Sequence, residues 1–222
     1  MWCIPAVSAA FVAAMEHILD LYELPYDPRY PLVCFDETNK QLIMERRLPL
    51  PPQPGQAARY DYEYRRNGTR NLFMFFEPLA SYRHIKVTER RTMQDFAHSM
   101  RWLVDVCYPD AKQIRVVLDN LNTHQPASLY ETFEPAEANR ILKRLEFHYT
   151  PKHGSWLNMA EIEFSVFSRQ CLARRIPDEE TLKRQVRALQ NERNANQATV
   201  NWQFTSRDAR TKLKRLYPSF SD

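Results

Sequence analysis

Two short apolar segments each end in an aspartate, and this pair constrains the fold of the chain more than any other feature. The first segment is PLVCFDET, which contains Asp36, and the second is QIRVVLDN, which contains Asp119. Short runs of β-branched and aromatic residues are typical of strands buried on both faces. Because ligands of open α/β sheets collect beyond the carboxyl ends of the strands, two such aspartates can converge on one site. The alternative is that each aspartate only begins a turn or caps the next element.

The segments around this pair alternate between strand and helix patterns. Residues 31–46 are predicted to form two short strands around a turn at Glu37–Lys40, and Asn67-Gly68 is a hairpin signal before a hydrophobic strand within 62–79. Further strands are predicted over 84–89, 113–120 and 146–151. Helical spacing of apolar residues predicts helices over 8–22, 92–106, 126–145, 155–174, 178–192 and 206–216, the last two capped by Asp178 and Ser206. This order predicts an α/β fold with a mixed five-stranded sheet flanked by helices, which resembles the ribonuclease H-like plan.

Length and composition predict one folded domain over residues 1–222. Hydrophobic residues make up 44% of the chain, enough for a substantial core. We expect a leading helical segment over 1–30 and an insertion loop over 48–71, which opens with several prolines. No segment is long enough to cross a membrane, so we expect a cytoplasmic protein. The cysteines, which have no zinc-type spacing, are Cys3, Cys34, Cys107 and Cys171.

Asp36 and Asp119 together suit a divalent metal ion. Neighbouring carboxylates repel each other unless they share a proton or a cation, and a hard ion such as Mg²⁺ is bound through oxygen ligands. Two such ions could activate a water or a 3′-hydroxyl for in-line attack on phosphorus, which makes phosphodiester transfer the leading reaction class. The third acid is expected from HGSWLNMAEIEFS, where Glu161 and Glu163 flank an apolar helix face on opposite sides. Helical geometry leaves both open, with Glu161 favoured only because it lies nearer the helix start.

Together these segments resemble the DDE/D transposases of bacterial insertion sequences related to the mariner superfamily. The matching stretches include VCFDETNKQL, VVLDNLNTH, LEFHYTPKHGSWLNMAEIEFSVFSRQCLARRIP and KLKRLYP, and they cover nearly the whole chain. The resemblance implies that Asp36, Asp119 and Glu161 are the catalytic acids, with Glu161 closing an Asn-x-x-Glu element that begins at Asn158. Glu163 is then not a metal ligand, and its removal is expected to leave Mn²⁺ binding nearly intact. The alternative for either glutamate is a solvated helix residue.

The resemblance also implies an activity and partners. The three acids would bind two Mg²⁺ or Mn²⁺ ions, water would attack at the transposon end, and the freed 3′-hydroxyl would attack target DNA. DNA is then the partner, and we expect a homodimer on DNA, associated with a bacterial nucleoid. Relatives carry helix-turn-helix domains ahead of the catalytic domain, and we expect this sequence-specific reader to be missing here. His124 is implied to lie beside the metals or the scissile phosphate; the alternative is a surface loop histidine.

Other polar residues near the acids have a functional and a structural interpretation. Asn120 and Asn158 either hold the acids through their amides or cap backbone segments. Lys152 and His153 precede the helix of the third acid, and a helix N-terminus attracts phosphate. They are therefore candidate phosphate ligands.

Basic residues cluster in one loop and on a later helix, and we predict that they contact DNA. The net charge of only +4 means that nucleic-acid binding requires such a local surface. In the loop the arginines alternate with Tyr60, Tyr62 and Tyr64, as expected for a surface that follows phosphates and stacks on bases. The predicted contacts are Arg46, Arg47, Arg59, Arg65, Arg66, Arg70, Lys183, Arg184 and Arg187. The alternative for every basic run, including residues 212–215, is a solvated face.

Two other functions compete with transposition. A non-catalytic remnant would keep the fold as a DNA-binding or dimerising module and would bind no Mn²⁺. A phosphatase with an aspartyl nucleophile in FDET would need a second aspartate two residues on and a glycine-rich phosphate loop. Position 38 is threonine and the chain has 3 glycines, which argues against that interpretation.

Overall fold

The computed structural model describes residues 8–47, 49–59 and 61–218, and it is organised around one five-stranded sheet. The strands are β1 (Leu32–Glu45), β2 (Tyr64–Glu77), β3 (Tyr82–Thr88), β4 (Ile114–Leu118) and β5 (Leu145–Tyr149). They lie in the order β3-β2-β1-β4-β5. The first three are antiparallel neighbours, whereas β4 is parallel to both β1 and β5. The predicted mixed sheet is confirmed; Cys3 and Tyr60 lie outside the described residues.

Helices cover both faces of this sheet. They are α1 (Ala9–Tyr22), α2 (Met93–Trp102), α3 (Ala127–Tyr130), α4 (Pro135–Leu142), α5 (Met159–Phe167), α6 (Glu179–Ala195) and α7 (Ser206–Lys212). Helices α2 and α5 each continue into a π-helical turn, over Leu103–Cys107 and Ser168–Leu172. Short 3₁₀ turns occupy Ser155–Leu157 and Lys214–Leu216. Within the described ranges, no helix has the length and apolar character needed to cross a membrane.

Alternation along β1 and β2 divides the core into two layers. Cys34, Leu72 and Met74 face a layer that includes residues of α1, α5, α6 and α7. Phe35 and Phe73 face the opposite layer, which includes residues of α2, α3 and α4. Successive side chains of a strand point to opposite faces, so a strand that is apolar at every position must be covered on both sides.

β1 is a single strand, so the predicted turn at Glu37–Lys40 is wrong. Glu37 pairs with Phe73, and Lys40 pairs with Arg70. The polar residues do not force a turn here because the ribbon formed by β1 and β2 runs on past the fully buried core, where side chains stay partly in solvent. Hydrogen bonds to β2 then satisfy the backbone N–H and C=O groups of these residues, some of which a turn would have left unpaired.

The predicted Asn67-Gly68 hairpin is also wrong, because these residues form a bulge inside β2. Gln41 pairs with Thr69 but Ile43 pairs with Arg66, so two residues of β2 oppose the single Leu42 of β1. Gly68 has a φ of 87°, a left-handed conformation that glycine adopts without steric cost. The Asn-Gly pair therefore marks a position of positive φ, as it does in hairpins, but in a different setting.

Two helix predictions need smaller corrections. The predicted helix over 126–145 is broken into α3 and α4, with Pro135 in the first turn of the second, where proline is tolerated. Thr205, rather than Ser206, caps α7 and forms a capping box with Asp208. The predicted Asp178 cap of α6 is confirmed.

The outer edge of β3 is covered by side chains of α6. Gln190 Oε1 accepts a hydrogen bond from the Ile85 amide at 2.8 Å, and Asn194 Oδ1 accepts one from the Arg83 amide at 3.0 Å. Asn194 Nδ2 also donates to the Arg83 carbonyl at 2.9 Å. These side-chain amides occupy backbone groups that an exposed edge strand would offer to another chain.

Candidate active site

The predicted acids lie where the pairing between the parallel strands β1 and β4 ends. The last parallel pair is Cys34 with Val117, so Asp36 lies just beyond it even though it is inside β1 rather than at its end. Asp119 directly follows β4, and Glu161 lies in the first turn of α5. The structure therefore brings three acids from distant segments together where the β1–β4 pairing ends. We call this group of Asp36, Asp119 and Glu161 the acidic edge of the sheet.

The three carboxylates experience one another's charge. Burial raises the pKa of Asp36 to about 7, and repulsion from the carboxylates of Glu161, Glu37 and Asp119 acts in the same direction. Burial also raises the pKa of Glu161, with further repulsion from Asp119. Such repulsion favours a shared proton or a cation, so the free energy of this edge falls when positive charge is added.

Asn158 connects the helix of Glu161 to the strand of Asp36. It is the N-cap of α5, and its Oδ1 accepts a hydrogen bond from the Ala160 amide at 3.1 Å. Its Nδ2 donates to the carbonyl of Phe35 at 2.8 Å, and the residue is almost fully buried. Asn158 thus caps the backbone and also fixes the first turn of α5 beside Asp36.

His124 bridges two carboxylates at the same edge. Its Nδ1 lies 2.6 Å from Asp119 Oδ1, and its Nε2 lies 3.0 Å from Glu37 Oε2. The ring is buried against Phe35 and Phe96. Burial alone would lower the pKa of His124, but the hydrogen bonds and charges of the two carboxylates outweigh it and raise the pKa to about 9. His124 is therefore a buried imidazolium at neutral pH, and it is not a surface loop histidine.

The same contact accounts for the low pKa of Asp119. Burial opposes its charge, yet the hydrogen bond and the positive charge of His124 hold the pKa of this carboxyl below its usual range. Asp36 and Asp119 therefore differ: the pKa of Asp119 lies below its usual range, whereas burial raises the pKa of Asp36 to about 7.

Glu37 is a part of the site that the sequence interpretation missed. Its side chain is 5% exposed, and besides His124 it lies 3.6 Å from the guanidinium of Arg91. A signal was present in the sequence, since Glu37 shares a strand face with Phe35 and a carboxylate on a buried face needs a cationic partner. The predicted turn at Glu37–Lys40 concealed it.

Glu163 is not a solvated helix residue, since its side chain is fully buried. Its Oε1 lies 3.0 Å from Arg83 Nε, and Arg193 donates to both of its oxygens at 2.6 and 2.9 Å. Arg83 is itself fully buried. Helical geometry predicted that Glu163 flanks the apolar face because only one helix was considered. In the fold, β3 and α6 cover that side of α5.

The remaining polar candidates have neighbours outside the group of acids. Asn120 Oδ1 accepts a hydrogen bond from Gln125 at 3.0 Å. Lys152 and His153 are exposed and line a cavity of about 350 Å³ together with α1 residues such as Phe11. Five residues separate His153 from α5, whose N-cap is Asn158.

Several predicted DNA contacts are ion-paired within the protein. Glu63, Asp61 and Glu179 are the carboxylate partners in these pairs. The paired cations are Arg46, Arg47, Arg70 and Lys183. Over the described ranges, no carboxylate lies within 4.0 Å of the other predicted contacts, which are Arg59, Arg65, Arg66, Arg184 and Arg187. These five remain the predicted contacts with charge available for phosphate.

The carboxylate groups of the acidic edge suit a hard divalent metal ion. Asp36, Asp119 and Glu161 supply carboxylate oxygens, the ligands that Mg²⁺ and Mn²⁺ prefer. As they stand, no three His, Cys, Asp or Glu side chains of the described residues form a closed metal site. One oxygen of Asp119 is engaged with His124 instead.

The sheet order and this acidic edge place the chain in the ribonuclease H-like class of α/β proteins. Its sequence matches the profile of the DDE superfamily endonuclease family over residues 31–183. That match covers more than half of the chain, so the chain belongs to this family. Among curated protein sequences none matches.

Solved structures with a similar fold include complexes of the Mos1 mariner transposase. The Mos1 paired end complex with Mn has a TM-score of 0.59 at 14% identity, covering 89% of this chain and 61% of that one. The pre-cleavage Mos1 transpososome has a TM-score of 0.58 at 12% identity, covering 98% and 67%. The paired end complex with Mg has a TM-score of 0.54 at 14% identity, covering 97% and 63%. At this identity the likeness establishes the fold, and the chain spans 61% of the length of the first of these relatives.

Proposed function

We propose that this chain is the catalytic domain of a metal-dependent DNA transposase, which cleaves DNA strands at transposon ends and joins them to target DNA. The observation that carries the proposal is the convergence of Asp36, Asp119 and Glu161 at the edge of a ribonuclease H-like sheet. Membership of the DDE superfamily endonuclease family supports the reaction class. The fold-related Mos1 structures are transposase complexes, solved with Mn and with Mg, which supports DNA as the substrate and these ions as cofactors.

In this proposal Asp36, Asp119 and Glu161 hold two Mg²⁺ or Mn²⁺ ions. When bound, such ions activate the attacking oxygen and neutralise the leaving oxygen. Asp36 would hold a metal ion in its ionised form, and the positive charge of the ion would offset the burial that raises the pKa of this carboxyl to about 7. Asn158 holds the first turn of α5, and with it Glu161, against β1. His124 orients Asp119 and balances the negative charge of the edge.

The proposed reaction consists of two displacements at phosphorus. In the first, a water oxygen bonds to phosphorus while the 3′-oxygen of the neighbouring nucleotide leaves as a hydroxyl. In the second, that 3′-hydroxyl attacks a phosphodiester of target DNA and displaces its 3′-oxygen. Neither step requires a covalent bond to the protein.

The decisive experiment compares the parent chain with Asp119→Asn on a supercoiled plasmid that carries the DNA flanking the gene. We expect nicking in the presence of Mn²⁺ by the parent and none by the variant, with Glu192→Gln on the exposed face of α6 as a matched control that keeps the parent activity. Nicking that persists in Asp119→Asn would refute the assignment.

A non-catalytic DNA-binding or dimerising derivative is the second candidate. Asp119 Oδ1 is engaged with His124, which leaves the other carboxylate oxygen of Asp119 for a metal ion. Calorimetric titration with Mn²⁺ separates the two candidates, since a derivative without catalysis should show no binding heat that depends on Glu161.

We also propose an organisation for this activity. Residues 1–222 act as one catalytic domain, with 48–71 as an insertion, and two copies assemble on DNA in the bacterial cytoplasm. The shared sheet, on which both core layers rest, supports the single domain. The Mos1 paired-end complexes support assembly on DNA ends.

A further inference from the structure

Glu37 is joined to the acidic edge by short contacts that run through His124. Glu37 Oε2 lies 3.0 Å from His124 Nε2, and the other ring nitrogen, Nδ1, lies 2.6 Å from Asp119 Oδ1. A carboxylate oxygen accepts hydrogen bonds, so both nitrogens of the ring act as donors. The side chains of His124 and Glu37 are 2% and 5% exposed, so their contact lies out of water, where hydrogen bonds are stronger.

The backbone of His124 is held by groups other than Glu37. The His124 amide donates to the Leu121 carbonyl at 2.9 Å, and the Tyr149 hydroxyl donates to the His124 carbonyl at 2.8 Å. These bonds fix the path of the loop that follows β4. The contact of Glu37 therefore acts on the ring of His124, and not on the backbone that carries it.

The aromatic rings that pack against His124 do not determine which way its nitrogens point. The ring centroids of Phe35 and Phe96 lie 5.2 and 5.0 Å from that of His124. These contacts stay nearly the same when the imidazole is turned by 180° about its Cβ–Cγ bond, because a phenylalanine ring has no hydrogen-bonding group. A turned ring would place carbon atoms where Nδ1 and Nε2 now lie. The carboxylates of Glu37 and Asp119 therefore select the observed orientation, one from each side.

The orientation of this ring decides which oxygen of Asp119 is free. Two donors converge on Asp119 Oδ1, namely His124 Nδ1 at 2.6 Å and the Leu121 amide at 3.3 Å. The side chain of Asp119 is nevertheless 43% exposed. With Oδ1 engaged, Oδ2 is the oxygen that can serve a metal ion.

Arg91 is the second charged neighbour of Glu37, and its contact is weaker. Its guanidinium lies 3.6 Å from Glu37 Oε1, beyond hydrogen-bond distance, and its side chain is 56% exposed. An ion pair with an exposed partner contributes little, since water competes for the charge. The contact with His124 is shorter, buried and made by the other carboxylate oxygen, so it dominates the interactions of Glu37.

A second buried carboxylate on the same face of the sheet provides a matched control. Glu77 ends β2, is 3% exposed and accepts a hydrogen bond from the Tyr108 hydroxyl at 2.7 Å. It follows Phe73, the residue that pairs with Glu37, by four positions, so the two carboxylates lie on one face about 14 Å apart. Glu77 thus shares the burial and strand setting of Glu37 without its contact to His124.

We propose that Glu37 is a positioning residue for metal binding: by holding the His124 ring, it keeps Asp119 Oδ1 engaged and presents the second oxygen of Asp119 to the ion. The proposal rests on the proposed function, which makes Asp119 a metal ligand. Groups that orient a metal ligand in this way are typically worth about 10- to 100-fold in metal affinity or activity.

The first test is calorimetric titration of the full chain with Mn²⁺, with the urea midpoint of each variant showing that it is folded. Glu37→Met should weaken binding by about 10- to 100-fold, because methionine has a similar length but no carboxylate oxygen. Glu37→Gln should bind Mn²⁺ more tightly than Glu37→Met, because its amide oxygen can still accept from His124. Glu77→Met should keep the parent affinity even where its urea midpoint falls.

A double-variant cycle tests whether Glu37 acts through His124. His124→Leu alone should weaken Mn²⁺ binding, and adding Glu37→Met should cause no further loss, because the group on which Glu37 acts is already absent. In Mn²⁺-dependent nicking of the plasmid, Glu37→Met should lower kcat and leave the KM for DNA unchanged, because Glu37 does not contact the substrate in this proposal.

Four outcomes would overturn the positioning role. Parent-like Mn²⁺ affinity and nicking in Glu37→Met would eliminate it and leave the proposed function standing. Equal losses in Glu37→Gln and Glu37→Met would assign the effect to negative charge alone, and equal losses in Glu37→Met and Glu77→Met would assign it to a weakened fold. A further loss in the double variant would show that Glu37 acts independently of His124. Absence of both Mn²⁺ binding and nicking in the parent would instead remove the proposed function, and the positioning role with it.

Discussion

Replacing Glu163 by glutamine should destabilise the protein strongly, although Glu163 is only two residues from the proposed ligand Glu161. The change leaves two guanidinium groups, those of Arg83 and Arg193, without their carboxylate. Removing one partner of a buried ion pair costs about 3–5 kcal/mol. Arg193 is 17% exposed and can be partly hydrated, so we expect the lower end, about 3 kcal/mol. With a urea m-value of about 3 kcal/mol/M, the unfolding midpoint should fall by about 1 M.

Glu161→Gln should have the opposite pattern. The pKa of Glu161 is raised by burial and by Asp119, so removing its charge relieves repulsion and should leave the urea midpoint unchanged or higher. Mn²⁺ binding, measured by calorimetry, should be lost in Glu161→Gln and retained in Glu163→Gln below its unfolding midpoint. Glu192→Gln should match the parent in both assays. If Glu163→Gln unfolds within about 0.2 M urea of the parent, the buried ion pair does not stabilise the fold.

Two further predictions concern the acidic edge and the β-bulge. The pKa of His124 is about 9 in the folded protein against an ordinary 6.5, so its charge stabilises the fold fully below pH 6.5 and this contribution, on the order of 3 kcal/mol, is lost as pH rises through about 9. The urea midpoint of the parent should therefore fall over this interval more than that of His124→Gln, and equal pH profiles would contradict the contacts with Asp119 and Glu37. Gly68→Ala should cost about 1–2 kcal/mol because φ is 87° while the added methyl has room, its nearest neighbour being Arg70 at 3.5 Å. An unchanged midpoint for Gly68→Ala would mean that β2 tolerates a regular pairing there.

Elements that are set by local interactions were predicted from the sequence, whereas elements that depend on strands distant in sequence were not. Strand segments around Val33–Phe35 and Val116–Leu118 were predictable because apolar runs that are buried on both faces require no knowledge of their partners. The turn at Glu37–Lys40 and the Asn67-Gly68 hairpin were wrong because each stretch lies inside a long strand of the β1–β2 ribbon: Glu37–Lys40 pairs with 70–73, and Asn67-Gly68 lies opposite Leu42. Pairing between strands distant in sequence leaves no local signal, so local propensity gave the opposite answer.

The same distinction between local and tertiary information applies to the candidate site. The sequence by itself determined the apolar and helical segments that carry Asp36, Asp119 and Glu161, because such patterns are set by neighbouring residues; it left open whether Asn158 caps the backbone or holds an acid. Only the tertiary structure decided that Glu163 is a buried partner of arginines from β3 and α6. It also decided that His124 joins Glu37 to Asp119. The physical reason is that the charge state and burial of a polar side chain depend on which distant groups surround it, and a linear pattern does not contain that neighbourhood.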